Sequence, residues 1–257
     1  MTLWTPRTGR MFRWLPASIV LAGLAPAALA QQTRATPPAL TEPAARTDEG
    51  WVKRQEQINE RAKQGDIELI FLGDSITQGW EGAGKEVWDK YYGARKAANM
   101  GIGGDGTQHI LYRLDHGNID GLKPKALVLM IGTNNSPGDT YTAEQIADGI
   151  GAIITKLRTK LPETKILLLA IFPRSERPDA TREKNAKVSE LASKLADGKM
   201  VYYMDIGKEF LGPDGVLSKE IMPDFLHLTP KGYEIWAKAI EAKLTELLGE
   251  KKAAAKP

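Results

Sequence analysis

Residues 67–77 read Ile67-Glu68-Leu69-Ile70-Phe71-Leu72-Gly73-Asp74-Ser75-Ile76-Thr77. An apolar run of strand length, Ile67 to Leu72, passes directly into a Gly-Asp-Ser turn. Two further runs of this kind follow, Ala126–Ile131 (ALVLMI) and Ile166–Ile171 (ILLLAI), with weaker strand candidates at Ala97–Met100 and Met200–Met204. Continuous apolar runs of this length suit parallel strands that are covered on both faces. Helical stretches lie between them. Trp51–Gln64 is polar and helix-forming. Thr142–Leu161 places Ile146, Ile150, Ile153, Ile154 and Leu157 at helical spacing, and Thr142 with Gln145 resembles a capping box. Thr181–Ala196 is another helix, and Thr229-Pro230 opens a last one through Leu248. Strand alternating with helix predicts a three-layer α/β/α sandwich around a parallel sheet. Ligands in such sheets sit beyond the carboxyl ends of the strands.

Three polar segments fall at those ends. Gly73-Asp74-Ser75-Ile76-Thr77 follows the first strand, Gly101-Ile102-Gly103-Gly104-Asp105-Gly106 the second, and Gly132-Thr133-Asn134-Asn135 the third. A fourth, Asp224-Phe225-Leu226-His227, precedes the last helix. Together they supply the parts of a serine esterase. Ser75 is the candidate nucleophile, and a serine hydroxyl needs a base within hydrogen-bond reach. The chain has 3 His. His109 and His116 read as packing or surface residues of the helix after the glycine loop, which leaves His227 as the base. Asp224, three residues earlier, can curl back to Nδ1 and leave Nε2 free for Ser75. Asp74 reads as structural, bonding loop amides. The backbone N–H of Ser75, Gly104 and the carboxamide of Asn134 are the candidate oxyanion donors. Ile76, Thr133 and Leu226 each sit beside one of these residues and are expected to form a shallow acyl pocket suited to acetyl.

Two other readings of the motifs are weaker. The α/β-hydrolase elbow requires Gly-x-Ser-x-Gly, but Thr77 stands at the second glycine. The glycine loop also satisfies Gly-x-Gly-x-x-Gly, yet it follows a weak second strand, and no acid-ended strand follows about twenty residues on.

Composition sets the remaining bounds. With 42% hydrophobic and 26% charged residues over 257 positions, one globular domain with a full core is expected. Residues 1–30 read as a secretory signal peptide, with Arg7, Arg10 and Arg13, a short apolar run from Leu15 to Leu24, and Ala28-Leu29-Ala30 before Gln31; the alternative is an uncleaved N-terminal anchor. That run is too short to span a bilayer, so no stable membrane insertion is expected after its removal. The placement is secreted or periplasmic. Residues 31–50, rich in Ala, Thr and Pro, read as an exposed linker, residues 51–250 as the hydrolase domain, and residues 251–257 as a disordered tail. Without the three leader arginines, the 35 basic residues fall level with the 32 acidic ones. No basic stripe with interleaved aromatics supports nucleic-acid binding. Cysteine is absent, which excludes disulfides, thiolate metal sites and a cysteine nucleophile. No metal or organic cofactor is called for.

The four segments resemble the consensus blocks of the SGNH (GDSL-like) hydrolase superfamily. Ser75, Gly104 and Asn134 stand in the first three blocks, Asp224 and His227 in the last. Asn99–Leu114, Lys123-Pro124-Lys125, Arg182–Asn185 and Asp224–Leu228 are further similar to the catalytic subunits of intracellular type Ib platelet-activating-factor acetylhydrolases. The resemblance covers roughly Ile67 to Leu248. It implies a five-stranded flavodoxin-like sheet, a metal-free Ser-His-Asp triad and a preference for short acyl groups. The leader segment separates this chain from an intracellular phospholipid enzyme, and acetylated carbohydrate is the expected substrate. The alternatives are a lysophospholipase- or thioesterase-like lipid hydrolase, and a non-catalytic cell-surface binding domain on the same scaffold.

Overall fold

The structure, a computed structural model, describes residues 1–3 and 38–250. The rest of the leader, residues 31–37 and the tail 251–257 lie outside the described residues. Five parallel strands form one sheet: β1 (Leu69–Gly73), β2 (Ala97–Gly101), β3 (Ala126–Met130), β4 (Lys165–Leu169) and β5 (Val201–Met204). Their order is β2-β1-β3-β4-β5, so the chain reverses its direction of travel across the sheet between β1 and β3. Ladders are in register, with Gly73 opposite both Gly101 and Met130. The three motif-bearing strand ends are therefore neighbours at the topological switch point, where such sheets bind ligands.

Side-chain alternation divides each strand between two cores. Ile70, Leu72, Leu127, Leu129, Ile166 and Leu168 face one layer. That layer holds α1 (Glu49–Lys63), α4 (Thr107–Asp115), α5 (Ala143–Lys160) and α6 (Ala180–Ser193). Leu69, Phe71, Val128, Met130, Leu167 and Leu169 face the other, where α3 (Lys85–Tyr91) and α7 (Pro230–Leu248) pack. This second core is aromatic. Trp80 meets Tyr233 at 4.5 Å and Trp236 at 5.0 Å between ring centroids, and Phe71 meets Tyr92 at 4.7 Å. Such pairs add about 0.5–1.5 kcal/mol each beyond area burial.

Local chemistry sets the helix ends. The Thr142–Gln145 box forms in both directions, with the Gln145 amide donating to Thr142 Oγ1 and the Thr142 amide donating to Gln145 Oε1. Thr229 caps α7, with Pro230 in its first turn. Two short helices, α2 (Ser75–Gln78) and α3, were not expected from the sequence.

Within the stretch 31–50, read as an exposed linker, most described residues are exposed, but one is buried. Leu40 is buried in the first core. Its carbonyl accepts from Thr107 Oγ1 at 3.1 Å, and the Ala44 amide donates to the Gln108 carbonyl at 3.0 Å. Residues 49–50 already belong to α1. The stretch from Leu40 to Asp48 is a strap laid across the start of α4. Its backbone hydrogen bonds and one anchoring leucine hold it there.

Candidate active site

The first strand ends in a turn that only glycine permits. A Cβ on Gly73 would stand 2.2 Å from Thr77 Oγ1 and 2.5 Å from the Met130 carbonyl oxygen. This close passage lets the chain turn at once into α2, with Ser75 as its first residue. Asp74 caps the turn, its Oδ1 accepting from the Ile76 amide at 3.0 Å. From α7, which packs on the same core as the Ile76 side chain, Tyr233 donates its hydroxyl to the Ile76 carbonyl at 2.7 Å. The backbone of the next residue, Ile76, is thus held at both its amide and its carbonyl, and Ser75 itself is half-buried.

His227 arrives from the loop before α7. Its Nε2 lies 2.9 Å from Ser75 Oγ, across 152 residues of sequence. Its Nδ1 lies 2.7 Å from Asp224 Oδ2. The other carboxylate oxygen, Oδ1, accepts from the backbone amides of Leu226 (3.1 Å) and His227 (2.8 Å). Partial burial pushes the Asp224 carboxyl up, but the His227 ring and the two amides outweigh it and hold the group below its ordinary value. The loop is strained at Phe225, a left-handed residue at φ 58°, which costs roughly 1–2 kcal/mol. A cross-loop bond helps hold it there, from the Ser175 amide to the Phe225 carbonyl at 2.9 Å. Arg182 fixes that neighbouring loop by donating to the carbonyls of Arg174 (2.6 Å), Ser175 and Gly215 (2.8 Å).

The glycine loop and the β3 loop close the remaining side. Asn134 donates its carboxamide to the Asp105 carbonyl at 2.9 Å, which ties the two loops together. Gly104 adopts φ +79°, a left-handed conformation suited to glycine. Among the described residues, the backbone N–H groups of Ser75 and Gly104 meet no protein acceptor. Asn135, beside Asn134, caps α4 by accepting from the Thr107 amide at 3.0 Å.

Behind this surface lies a buried charge cluster that sequence reasoning missed. Asp105 and Arg113 are both fully buried, with Arg113 Nε donating to Asp105 Oδ2 at 2.8 Å and Trp51 Nε1 donating to Asp105 Oδ1 at 2.7 Å. Arg113 also donates to the carbonyls of Met100 (3.1 Å) and Gly73 (3.3 Å), which lie at the ends of the β2 and β1 strands. Asp74 is buried beside this cluster, with its Oδ2 unpartnered. Burial, aided by the neighbouring Asp105 charge, pushes its carboxyl up to about 7, against the pull of the Ile76 amide and His227. No motif signals the cluster, although Asp105 and Arg113 lie at the loop and on the helix that follow β2.

The other two histidines are engaged elsewhere. His109 Nδ1 accepts from the Gly106 amide at 2.9 Å. Burial lowers its pKa, although Asp105 pulls the other way. His116 stacks on Tyr112 with centroids 3.7 Å apart.

The three residues named for an acyl pocket, Ile76, Thr133 and Leu226, differ in exposure. Ile76 is buried with the second core. Thr133 is also closed to solvent, and Arg174 donates to its carbonyl and hydroxyl oxygens at 3.1 and 3.3 Å. Both side chains are taken up by protein contacts, so of the three only Leu226 presents surface. The site is open. The His227 and Asp224 side chains are 44% and 54% exposed.

Residues 71–235 match the model of the GDSL-like Lipase/Acylhydrolase family. The chain belongs to that family. It is an SGNH/GDSL-type carboxylic ester hydrolase. Rat platelet-activating factor acetylhydrolase IB subunit alpha2 is 38% identical over 207 residues, covering 79% of this chain and 87% of the rat protein. Among solved structures, Axe2, an acetylxylan esterase from Geobacillus stearothermophilus, superposes with a TM-score of 0.56 at 17% identity, over 75% of this chain and 98% of that one. Est24, a carbohydrate acetylesterase from Sinorhizobium meliloti, gives 0.52 at 20% identity, over 70% and 99%. At these identities the two structures support the shared three-layer fold alone.

Proposed function

We propose that this esterase is secreted or periplasmic and removes short acyl groups, chiefly acetyl, from carbohydrate by a Ser-His-Asp acyl-enzyme mechanism. The observation that carries the mechanism is the unbroken chain Ser75 Oγ, His227 Nε2, His227 Nδ1, Asp224 Oδ2, at 2.9 and 2.7 Å. Ser75 Oγ attacks the ester carbonyl while its proton passes to His227 Nε2. Asp224 holds the ring tautomer and stabilises the imidazolium. The tetrahedral oxygen takes the N–H groups of Ser75 and Gly104 and the Asn134 carboxamide, a set of donors aimed where charge develops. Collapse breaks the bond to the leaving alcohol, which receives the proton from His227. Water, deprotonated by the same nitrogen, then releases the acid and restores Ser75.

The substrate reading rests on the open setting of Ser75 and His227, which admits a bulky acceptor but offers little wall for a long chain. The leader segment supports export. A second reading, a lipid hydrolase, is favoured by the 38% identity to a platelet-activating factor acetylhydrolase. Rates on p-nitrophenyl acetate and p-nitrophenyl decanoate, with acetate release from acetylated xylan and from platelet-activating factor, separate them. The carbohydrate reading expects a steep fall with chain length and faster release from xylan. Comparable rates on both p-nitrophenyl esters, or release from the lipid alone, would overturn it.

A further inference from the structure

The strap before α1 reaches the candidate oxyanion site through one side chain. Arg46 Nη1 donates to the Gly103 carbonyl at 2.6 Å, and its Nε donates to Asp48 Oδ2 at 2.9 Å. The same Nη1 lies 3.6 Å from Asp105 Oδ1. A Cβ on Gly104 would stand 2.9 Å from Nη1, so the guanidinium lies close beside the Gly104 backbone. Position 104 favours glycine for its left-handed φ.

The carbonyl held by Arg46 belongs to the peptide unit that carries the Gly104 N–H. A trans peptide is planar, and its C=O and N–H point in opposite directions. Pinning the carbonyl from one side fixes where the N–H points on the other. Gly103 is also held at its own amide, which donates to Gln78 Oε1 at 2.7 Å. A Cβ built on Gly103 would lie 3.7 Å from Ser75 Cβ, so this peptide stands directly beside the nucleophile. A cation on the carbonyl also polarises the amide and makes its N–H a stronger donor.

We propose that Arg46 is a positioning residue for ester hydrolysis, aiming and strengthening the Gly104 N–H as an oxyanion donor from outside the site. The strap is thus a working part of the enzyme. The inference rests on the reading of Ser75 as nucleophile and Gly104 as donor. Losing one oxyanion donor costs about 10²- to 10³-fold in kcat, and misaiming one costs part of that.

The test is steady-state hydrolysis of p-nitrophenyl acetate by the full chain and by Arg46→Ala and Arg46→Lys, with thermal melts alongside. In Arg46→Ala, kcat falls about 10- to 100-fold with KM within about twofold. Millimolar guanidinium restores part of the rate, and ammonium at equal concentration does not. Arg46→Lys, which keeps the charge but not the planar fork, remains impaired. If the Ala variant does not fold, the Lys variant decides by its kcat. Unchanged kcat, a loss carried by KM, or rescue by either cation alike overturns the proposal. Ser75→Ala separates the two levels. Turnover that survives Ser75→Ala sinks the underlying reading, whereas Ser75-dependent turnover indifferent to Arg46 sinks this inference alone.

Discussion

Asp224→Asn should be more damaging than Asp224→Ala, although asparagine is the closer mimic. The reason lies in the two backbone amides. Those of Leu226 and His227 both point at Oδ1. In the Asn variant the carboxamide oxygen takes that position, since an NH₂ group there would face two donors. The NH₂ is then turned toward His227 Nδ1, 2.7 Å away in the parent. A donor facing Nδ1 forces the ring to accept there and to carry its proton on Nε2. That nitrogen then donates to Ser75 Oγ and has no lone pair to receive the hydroxyl proton. The expected loss in kcat is about 10⁴-fold, the scale seen when a triad carboxylate is replaced by an amide, or roughly 5–6 kcal/mol of barrier. In Asp224→Ala no group dictates the tautomer. The side chain is 54% exposed, so water fills its place, and a loss of about 10²- to 10³-fold is expected, from weaker orientation and an unpaired imidazolium. The assay is kcat and kcat/KM on p-nitrophenyl acetate for both variants, with circular dichroism to verify folding. An Asn variant as active as the Ala variant, or more so, would refute the reasoning.

Three further outcomes follow from the buried groups. Asp74 has a folded carboxyl at about 7, above the unfolded value, so the native state holds a proton that the unfolded chain releases between about pH 4 and 7. Stability from this group is complete below that window and falls as pH rises through it. Asp74→Asn should therefore gain on the parent with rising pH, by on the order of 4 kcal/mol at most, and a constant difference in denaturant midpoint from pH 4 to 8 would contradict it. Arg113→Met removes the nearer, fully buried cation from Asp105 and leaves only Arg46 Nη1, at 3.6 Å; it should cost about 3–5 kcal/mol, read by urea titration. Leu40→Ala should cost about 2–5 kcal/mol if the strap is anchored in the core; a loss below about half a kcal/mol would contradict that anchoring.

The sheet was legible because its strands are covered on both faces. ALVLMI and ILLLAI carry no polar alternation, and their ladders begin and end within two residues of those runs. Helices α5, α6 and α7 were legible from their periodicity and caps. Helices α2 and α3, of 4 and 7 residues, were not, because they span too few turns to show a period and are broken by Gly79, Gly82 and Gly84. Asp224 and His227 could be paired from their spacing alone. Joining them to Ser75 required the topology, since only the fold brings a loop 152 residues away to the end of β1. The direction of the Ile76 side chain was illegible for a related reason. Adjacency in sequence places Ile76 beside Ser75, but the first turn of α2 sends its side chain into the aromatic core. Arg46 was invisible because its main partner is a backbone carbonyl 57 residues away, and no side-chain pattern records such a contact.

Ester hydrolysis by this chain turns on Ser75, activated by His227, forming the acyl bond. Incubation with a fluorophosphonate followed by peptide mapping tests it most directly. One adduct is expected, on Ser75, formed far more slowly in His227→Ala and absent in Ser75→Ala. An adduct on another residue, or ester hydrolysis that persists in Ser75→Ala, would contradict it.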